Sequence, residues 1–357
     1  MSKKKRFKFL ILISRYKHNF TDLDYYHLIT DSLKYYNYRY LSVEFSRENE
    51  ITNLKRIGRF LKDKNIIILA NANIEYNYLY PDSLINLLKL SGHKIISIFG
   101  DVDENQIKSK FVKLSHFIFM FDKSYVDWSN KNLKKDKFHY LHSFPIVKNN
   151  KYSLRNFKKR NYDISYSGSK KSFRNTFIYN FLKFYGKNYL TFFKFLDNKT
   201  FAKNMTYSTY VNILLKSKFY FCTRAGLYEK NPFKKFSYNQ GRYAGRISEA
   251  ISAGCIPVYW QPKKPNNFLD KFILKNRFYR FKYLNGFFMS DKNSRPYDVF
   301  DEKFKDMMLI VDSPQDLNDQ ISKLTKSQIK KKLQLLNAFY YKFICPKVFF
   351  KKIFSLV

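Results

Sequence analysis

The amino-acid sequence predicts an α/β protein: two Rossmann-like domains facing a central cleft, with C-terminal helices crossing back. Three observations predict it. At 357 residues the chain exceeds one ordinary compact core, so two domains of roughly 150 to 200 residues are expected. Both halves alternate short apolar runs with amphipathic stretches, the pattern of a parallel sheet covered by helices. A polar, basic connection, "IVKNNKYSLRNFKKRN" at 146–161, separates the two alternations. The expected divisions are 1–150, 151–325 and a helical tail over 326–357.

In the first half the strands are "RFKFLILIS", "YRYLSVEF", "NIIILANA", "HKIISIFGD", "SHFIFMFDK" and "KFHYLHSFP". Between them "PDSLINLLKLSG" reads as a helix, with Pro81 at its start and Gly92 at its end. The second half offers strands at 162–168, 189–196, 218–223 and 255–260, with helices near 171–186, 206–217 and 243–253. After "DMMLIVDS" come helices near 314–324 and 326–343. The apolar face expected on the helix near 206–217 is Val211, Leu214 and Leu215.

A formal charge of +39, from 67 Lys and Arg against 28 Asp and Glu, attracts phosphate in nucleic acid, anionic lipid or a sugar nucleotide. Lys, Asn, Tyr, Phe and Ile are raised together, however, as an AT-rich genome produces by codon bias. The cations are spread along the chain rather than gathered in one cluster or tail, which disfavours nucleic acid as a partner. Peripheral contact with an anionic membrane fits the same charge.

"FKFLILIS" is short for a secretory core and reads as a first buried strand, and no apolar run reaches the roughly 18 to 20 residues of a membrane-spanning helix. Cys222, Cys255 and Cys345 cannot all pair and lack metal-site spacing, so a cytoplasmic, reducing compartment with buried thiols is expected.

Doubly wound sheets bind ligands at the carboxyl ends of their strands, and three stretches place candidate groups there. In "YSGSKKSFR" a strand ends at Gly168 and Ser169, and Arg174 follows on a helix whose N-terminus could hold an anion. A plain strand-to-helix turn capped by Ser169 or Ser172 reads the same way. In "LLKSKFYFCTRAGLYEKNP" a buried strand leads to Arg224, beside Gly226, where a phosphate or plain solvent could meet the cation. In "GRYAGRISEAISAGCIPVYW" a helix starting near Gly241 would put Arg242, Arg246 and Glu249 on one face, at spacings of four and three. Its small residues Ala250, Ala253 and Gly254 let the backbone lie close to a sheet or a ligand. A surface Arg–Glu pair, worth about 0.3–0.5 kcal/mol, is the bland alternative.

The segment "GRISEAISAGCIPVYW" resembles the nucleotide-sugar-binding segment of GT-B glycosyltransferases, and most the exostosin-like family, in which an Arg, a Glu-Ala and Gly-Cys-Ile/Val-Pro-Val follow in this order. "SKFYFCTRAG" and "YDISYSGSKKSFR" are similar to the same family's preceding segments, and "DSPQDLNDQISKLTKSQIKKKLQLL" more weakly to its C-terminal helices. The ending "PVYW" is also similar to the α-1,3-fucosyltransferase segment, although Gly245-Arg246 stands where that motif has Glu-Lys. Retaining GT-B enzymes often carry two glutamates eight apart, and Gly241 occupies the position eight before Glu249.

The resemblance implies a metal-independent glycosyltransferase without a cofactor, moving a sugar from a nucleotide-sugar donor to a hydroxyl of a glycan, surface-polysaccharide or lipid-linked acceptor. Glu249 would accept hydrogen bonds from donor hydroxyls, and Gly168, Ser169, Arg174, Arg224 and Arg246 would face or support the diphosphate. The N-terminal domain would bind the acceptor, with Asp101, Asp103 or His142 at strand ends as the candidate base if the reaction inverts. Asp101 and Asp103 could equally cap the following helix. A non-catalytic basic protein that binds nucleic acid or an anionic membrane is the alternative class. It would leave Arg174, Arg224, Arg246 and Glu249 scattered over separate faces.

Overall fold

The structure, a computed structural model, describes residues 8–14, 29–45, 50–61, 65–69, 82–99, 110–120, 123–133, 136–142, 146, 151–169, 191–196, 207–222, 245–260 and 302–356. The chain divides into two units, Met1–Val147 with Pro346–Val357, and Lys148–Cys345.

In the first unit, strands β1 (Lys8–Ser14), β2 (Arg39–Phe45), β3 (Asn65–Leu69), β4 (Lys94–Phe99), β5 (Phe117–Met120) and β6 (Phe138–Tyr140) form a parallel sheet. Its order is β2-β1-β3-β4-β5-β6, so the chain steps out to β2 and returns past β1. The switch point lies between β1 and β3. Ile66, Ile67, Ile68 and Leu69 are all buried, which explains an apolar run without alternation: a central parallel strand is covered on both faces. Connecting helices are α1 (residues 29–35), α2 (Glu50–Phe60), α3 (Asp82–Leu90), α4 (Lys110–Leu114) and α5 (Lys123–Leu133). Helix α3 buries Leu84, Ile85 and Leu88, and Gly92 follows it at φ +67°.

In the second unit, α6 (Leu154–Lys158) precedes β7 (Tyr162–Ser169), then follow β8 (Thr191–Leu196), α7 (Tyr207–Leu215), β9 (Ser217–Cys222), α8 (Gly245–Ala253) and β10 (Ile256–Trp260). A 3₁₀ turn at Glu302–Met307 leads to β11 (Leu309–Val311), α9 (Pro314–Lys323) and α10 (Lys326–Phe339). The parallel sheet runs β11-β10-β9-β7-β8, with its switch point between β7 and β9. Within "DMMLIVDS" only Leu309–Val311 pair, as an edge strand on β10. The helix expected near 171–186 lies outside the described residues.

Helix α7 turns a different face inward from the one its aliphatic residues predict. Tyr210, Ile213 and Leu214 are buried, while Val211 and Leu215 are only half-buried. The tyrosine goes inside because its hydroxyl has a partner there, described below. Helix α9 starts at Ser313, whose side chain accepts from the Asp316 N–H, and α10 at a Thr325–Gln328 capping box. The helix expected over 326–343 changes pitch at its end. Tyr340–Ile344 form a π turn, closed by a 2.7 Å bond from the Cys345 N–H to the Tyr340 carbonyl. Pro346, which has no N–H to continue the ladder, then starts the last helix, α11 (Pro346–Leu356).

Helix α11 belongs to the first unit, so the chain returns to the domain where it began. Phe350 packs on Phe9 at 5.8 Å and on Tyr38 at 5.0 Å, and Phe349 on Phe119 at 5.7 Å. The Lys352 ammonium donates to the Tyr140 carbonyl at 2.8 Å. Among the described residues no helix is long and apolar enough to cross a membrane.

Candidate functional site

The switch point of the second sheet gathers the described parts of the motif stretches. Gly168 and Ser169 end β7, and its neighbour β9 ends at Cys222, two residues before Arg224. Helix α8 links β9 to the parallel strand β10, so its N-terminus opens at the same carboxyl edge. The positive end of a helix dipole there favours an anion.

Glu249 lies in the second turn of α8 and is 6% exposed. The Tyr210 hydroxyl of α7 donates to its Oε2. A buried carboxylate needs such donors, and one from a neighbouring helix also fixes its rotamer. Ile247, Ser248, Ala250, Ile251, Ser252 and Ala253 show no exposed surface, so α8 is enclosed over the stretch from Ile247 to Ala253. The small side chains therefore serve close packing within the fold.

The far end of α8 is clamped. Gly254 takes φ +71°, its N–H bonds the Ile251 carbonyl, and the Cys255 N–H bonds the Ala250 carbonyl, each at 2.9 Å. That is a Schellman cap, with glycine in the left-handed position. A β-carbon there would stand 2.6 Å from the Lys151 carbonyl oxygen, so Gly254 permits close approach of backbone.

Arg160, 8% exposed, supports the same corner. Its guanidinium donates to the carbonyls of Ser217 at 2.6 Å, Lys151 at 3.0 Å and Ala253 at 2.9 Å. The Tyr152 hydroxyl donates to the Ile251 carbonyl at 2.9 Å. The last carbonyls of α8 thus receive a cation and a phenol.

Lys151, 5% exposed, lies over the Tyr340 ring at 3.8 Å. The ring favours the ammonium. Burial, aided by the Arg160 charge, outweighs it and brings the amine down to about 7.

Of the residues expected at the site, the structure joins Gly168 and Ser169 to the edge where α8 begins, and buries Glu249 on that helix. Arg246 lies in the first turn of α8, and nothing of its side chain is described. Arg174, Arg224, Arg242, Asp101 and Asp103 lie outside the described residues. His142 follows β6 in the first unit, buried, with its Nδ1 3.2 Å from the Tyr140 hydroxyl. Burial, and then the Lys352 charge, push its imidazole down to about 3. A ring so reluctant to take a proton is a weak general base near neutral pH.

Tyr210, Arg160 and Tyr152 are absent from the sequence-based candidates. Arg160 sits in "NFKKRN", where nothing marks one cation among several. Tyr210 carried a signal of a kind: it falls on the same helical stripe as Ile213 and Leu214, and a buried tyrosine needs a partner for its hydroxyl.

Among solved structures, an alpha-glucosyltransferase in complex with UDP and a 13-mer DNA containing a HMU base matches with a TM-score of 0.56 and 12% identity, covering 98% of each chain. An alpha-glucosyltransferase in complex with UDP and a 13-mer DNA containing a central A:G mismatch matches at 0.56 and 11%, covering 99% of each. A spinosyn forosaminyltransferase reaches 0.45 at 9% identity over 99% of each chain. No protein-family model matches the sequence, and no curated protein matches it. The first two likenesses establish the fold: the chain has the α/β architecture of GT-B glycosyltransferases, with two Rossmann-like domains built on parallel sheets.

Proposed function

We propose that the protein is a glycosyltransferase that moves a sugar from a nucleotide-sugar donor to a hydroxyl of a glycan, surface-polysaccharide or lipid-linked acceptor. The observation that carries the reading is Glu249, a carboxylate 6% exposed on the helix that begins at the carboxyl edge of the second sheet, with the Tyr210 hydroxyl donating to it. A carboxylate accepts hydrogen bonds, which suits it to a donor hydroxyl, the ribose above all. The exostosin-like order of Arg246, Glu249-Ala250 and Gly254-Cys255-Ile256-Pro257-Val258 supports the same role, and the UDP in two structural neighbours agrees with a nucleotide-sugar donor.

In this reading Gly168 and Ser169 offer backbone to the diphosphate, while Arg174, Arg224 and Arg246 balance its charge as the glycosidic bond breaks, without a metal. The first unit takes the acceptor, and Asp101 or Asp103, following the central strand β4, is a better base than the suppressed His142. Cys222, Cys255 and Cys345, all buried and none in a disulfide among the described residues, fit a reducing cytoplasm.

A second reading of the acceptor, nucleic acid, is favoured by the +39 charge together with the DNA in those two neighbours. A thermal-shift panel of nucleoside diphosphates and sugar nucleotides tests the donor. Saturation at one hundred times the dissociation constant raises stability by about 2.7 kcal/mol. No shift with any member, beside tight salt-sensitive DNA binding, leaves a non-catalytic basic protein. Once a donor is known, transfer to glycan, lipid-linked and DNA acceptors separates the two readings.

A further inference from the structure

The first sheet ends in an edge strand, β2, and cations crowd both of its faces. On one face Lys55, Arg56 and Arg59 of α2 rim a groove of about 650 Å³ floored by Leu41 and Phe60. On the other, Lys347 and Lys351 of α11 rim a groove of about 380 Å³ floored by Phe350 and Phe354. Arg39 opens the strand between them. All six cations are exposed, and none has a carboxylate partner among the described residues. Tyr35 and Tyr36, 55% and 36% exposed, stand beside the second groove.

We propose that this edge of the first unit is the docking surface for an anionic phospholipid bilayer. Lysines and arginines meet the headgroup phosphates, and exposed tyrosines suit the interfacial layer. The apolar floors carry the lysine stems while their heads reach the lipid. A single-stranded nucleic acid would want open aromatic faces, but Tyr36 is already engaged edge-to-face with Tyr35 at 5.2 Å and Phe350 at 6.0 Å. A second copy of the chain, pairing on this edge strand, would meet the same cations and be repelled. The proposal does not depend on sugar transfer by the second unit.

The test is co-sedimentation of the full chain with phosphatidylcholine vesicles, with and without about one-third phosphatidylglycerol, and with duplex DNA as competitor. The variants are Lys347→Gln/Lys351→Gln, Lys55→Gln/Arg56→Gln/Arg59→Gln, and the control Lys326→Gln/Lys330→Gln, exposed on α10 in the other unit. All are surface changes, and unaltered thermal unfolding midpoints verify the fold. Binding that needs phosphatidylglycerol, falls at least about tenfold in both edge variants and stays within about twofold in the control supports the proposal. Equal losses in all three show bulk charge at work and overturn it, as does the absence of lipid-dependent binding. DNA that displaces the vesicles and loses affinity through the same edge variants makes the surface a nucleic-acid site, and also overturns it.

Discussion

The Nη2 atom of Arg160 lies 2.9 Å from the Ala253 carbonyl and 2.9 Å from where a β-carbon on Gly254 would stand. Arginine and glycine together close the end of α8 against the Lys151 backbone, so the helix that carries Glu249 is fixed from below. Gly254→Ala puts a side chain into a left-handed position, which costs about 1–2 kcal/mol, and drives it against the Lys151 carbonyl at 2.6 Å. A loss of at least about 2 kcal/mol is expected, read as a lower denaturant midpoint at constant slope.

Arg160→Leu leaves the carbonyls of Lys151, Ser217 and Ala253 without their shared donor. Charged hydrogen bonds and buried unmet carbonyls set the expected loss at roughly 3 kcal/mol in urea unfolding. Arg160→Lys recovers only part, because an ammonium cannot reproduce the guanidinium's spread of donors.

Lys151 makes stability depend on pH. Its amine titrates near 10.5 when unfolded and near 7 when folded. Between those values the unfolded chain binds the extra proton, so this group's contribution to stability rises with pH through that window and is least at or below about 7. Lys151→Met removes the buried cation, and the variant is expected to gain stability relative to the natural protein at neutral pH, with the gain shrinking as pH approaches about 10. Urea unfolding at several pH values reads both curves.

Tyr210→Phe deletes the hydroxyl that donates to Glu249 and keeps the ring in the core. Stability should fall by only about 1 kcal/mol, while the dissociation constant of the sugar nucleotide rises about tenfold because the carboxylate loses its fixed rotamer. Titration calorimetry measures the second effect and thermal unfolding the first.

How much was legible in the sequence follows from the range of each interaction. The central strands of the first sheet announce themselves because buried parallel strands are unbroken apolar runs, as at Ile66–Leu69. Leu309–Val311, a three-residue strand paired on β10 alone, was not read from the sequence. The stretch around Glu249 was readable because its helix, cap and strand are contiguous. Its supports were not: Arg160 reaches Ser217 across 57 positions and Ala253 across 93, and Tyr210 reaches Glu249 across 39. Side chains brought together over such distances leave no local spacing to read. The inward turn of α7 has the same origin, because it depends on a partner from another helix.

Glu249→Ala tests the central claim most directly, through the dissociation constant of the sugar nucleotide that stabilises the natural protein. With Tyr210 still in place and binding measured well below the variant's own unfolding midpoint, the account predicts binding weakened at least about tenfold, as the loss of a charged hydrogen bond of about 1.5–3 kcal/mol requires. An unchanged dissociation constant in that variant would contradict it and remove Glu249 from the donor site.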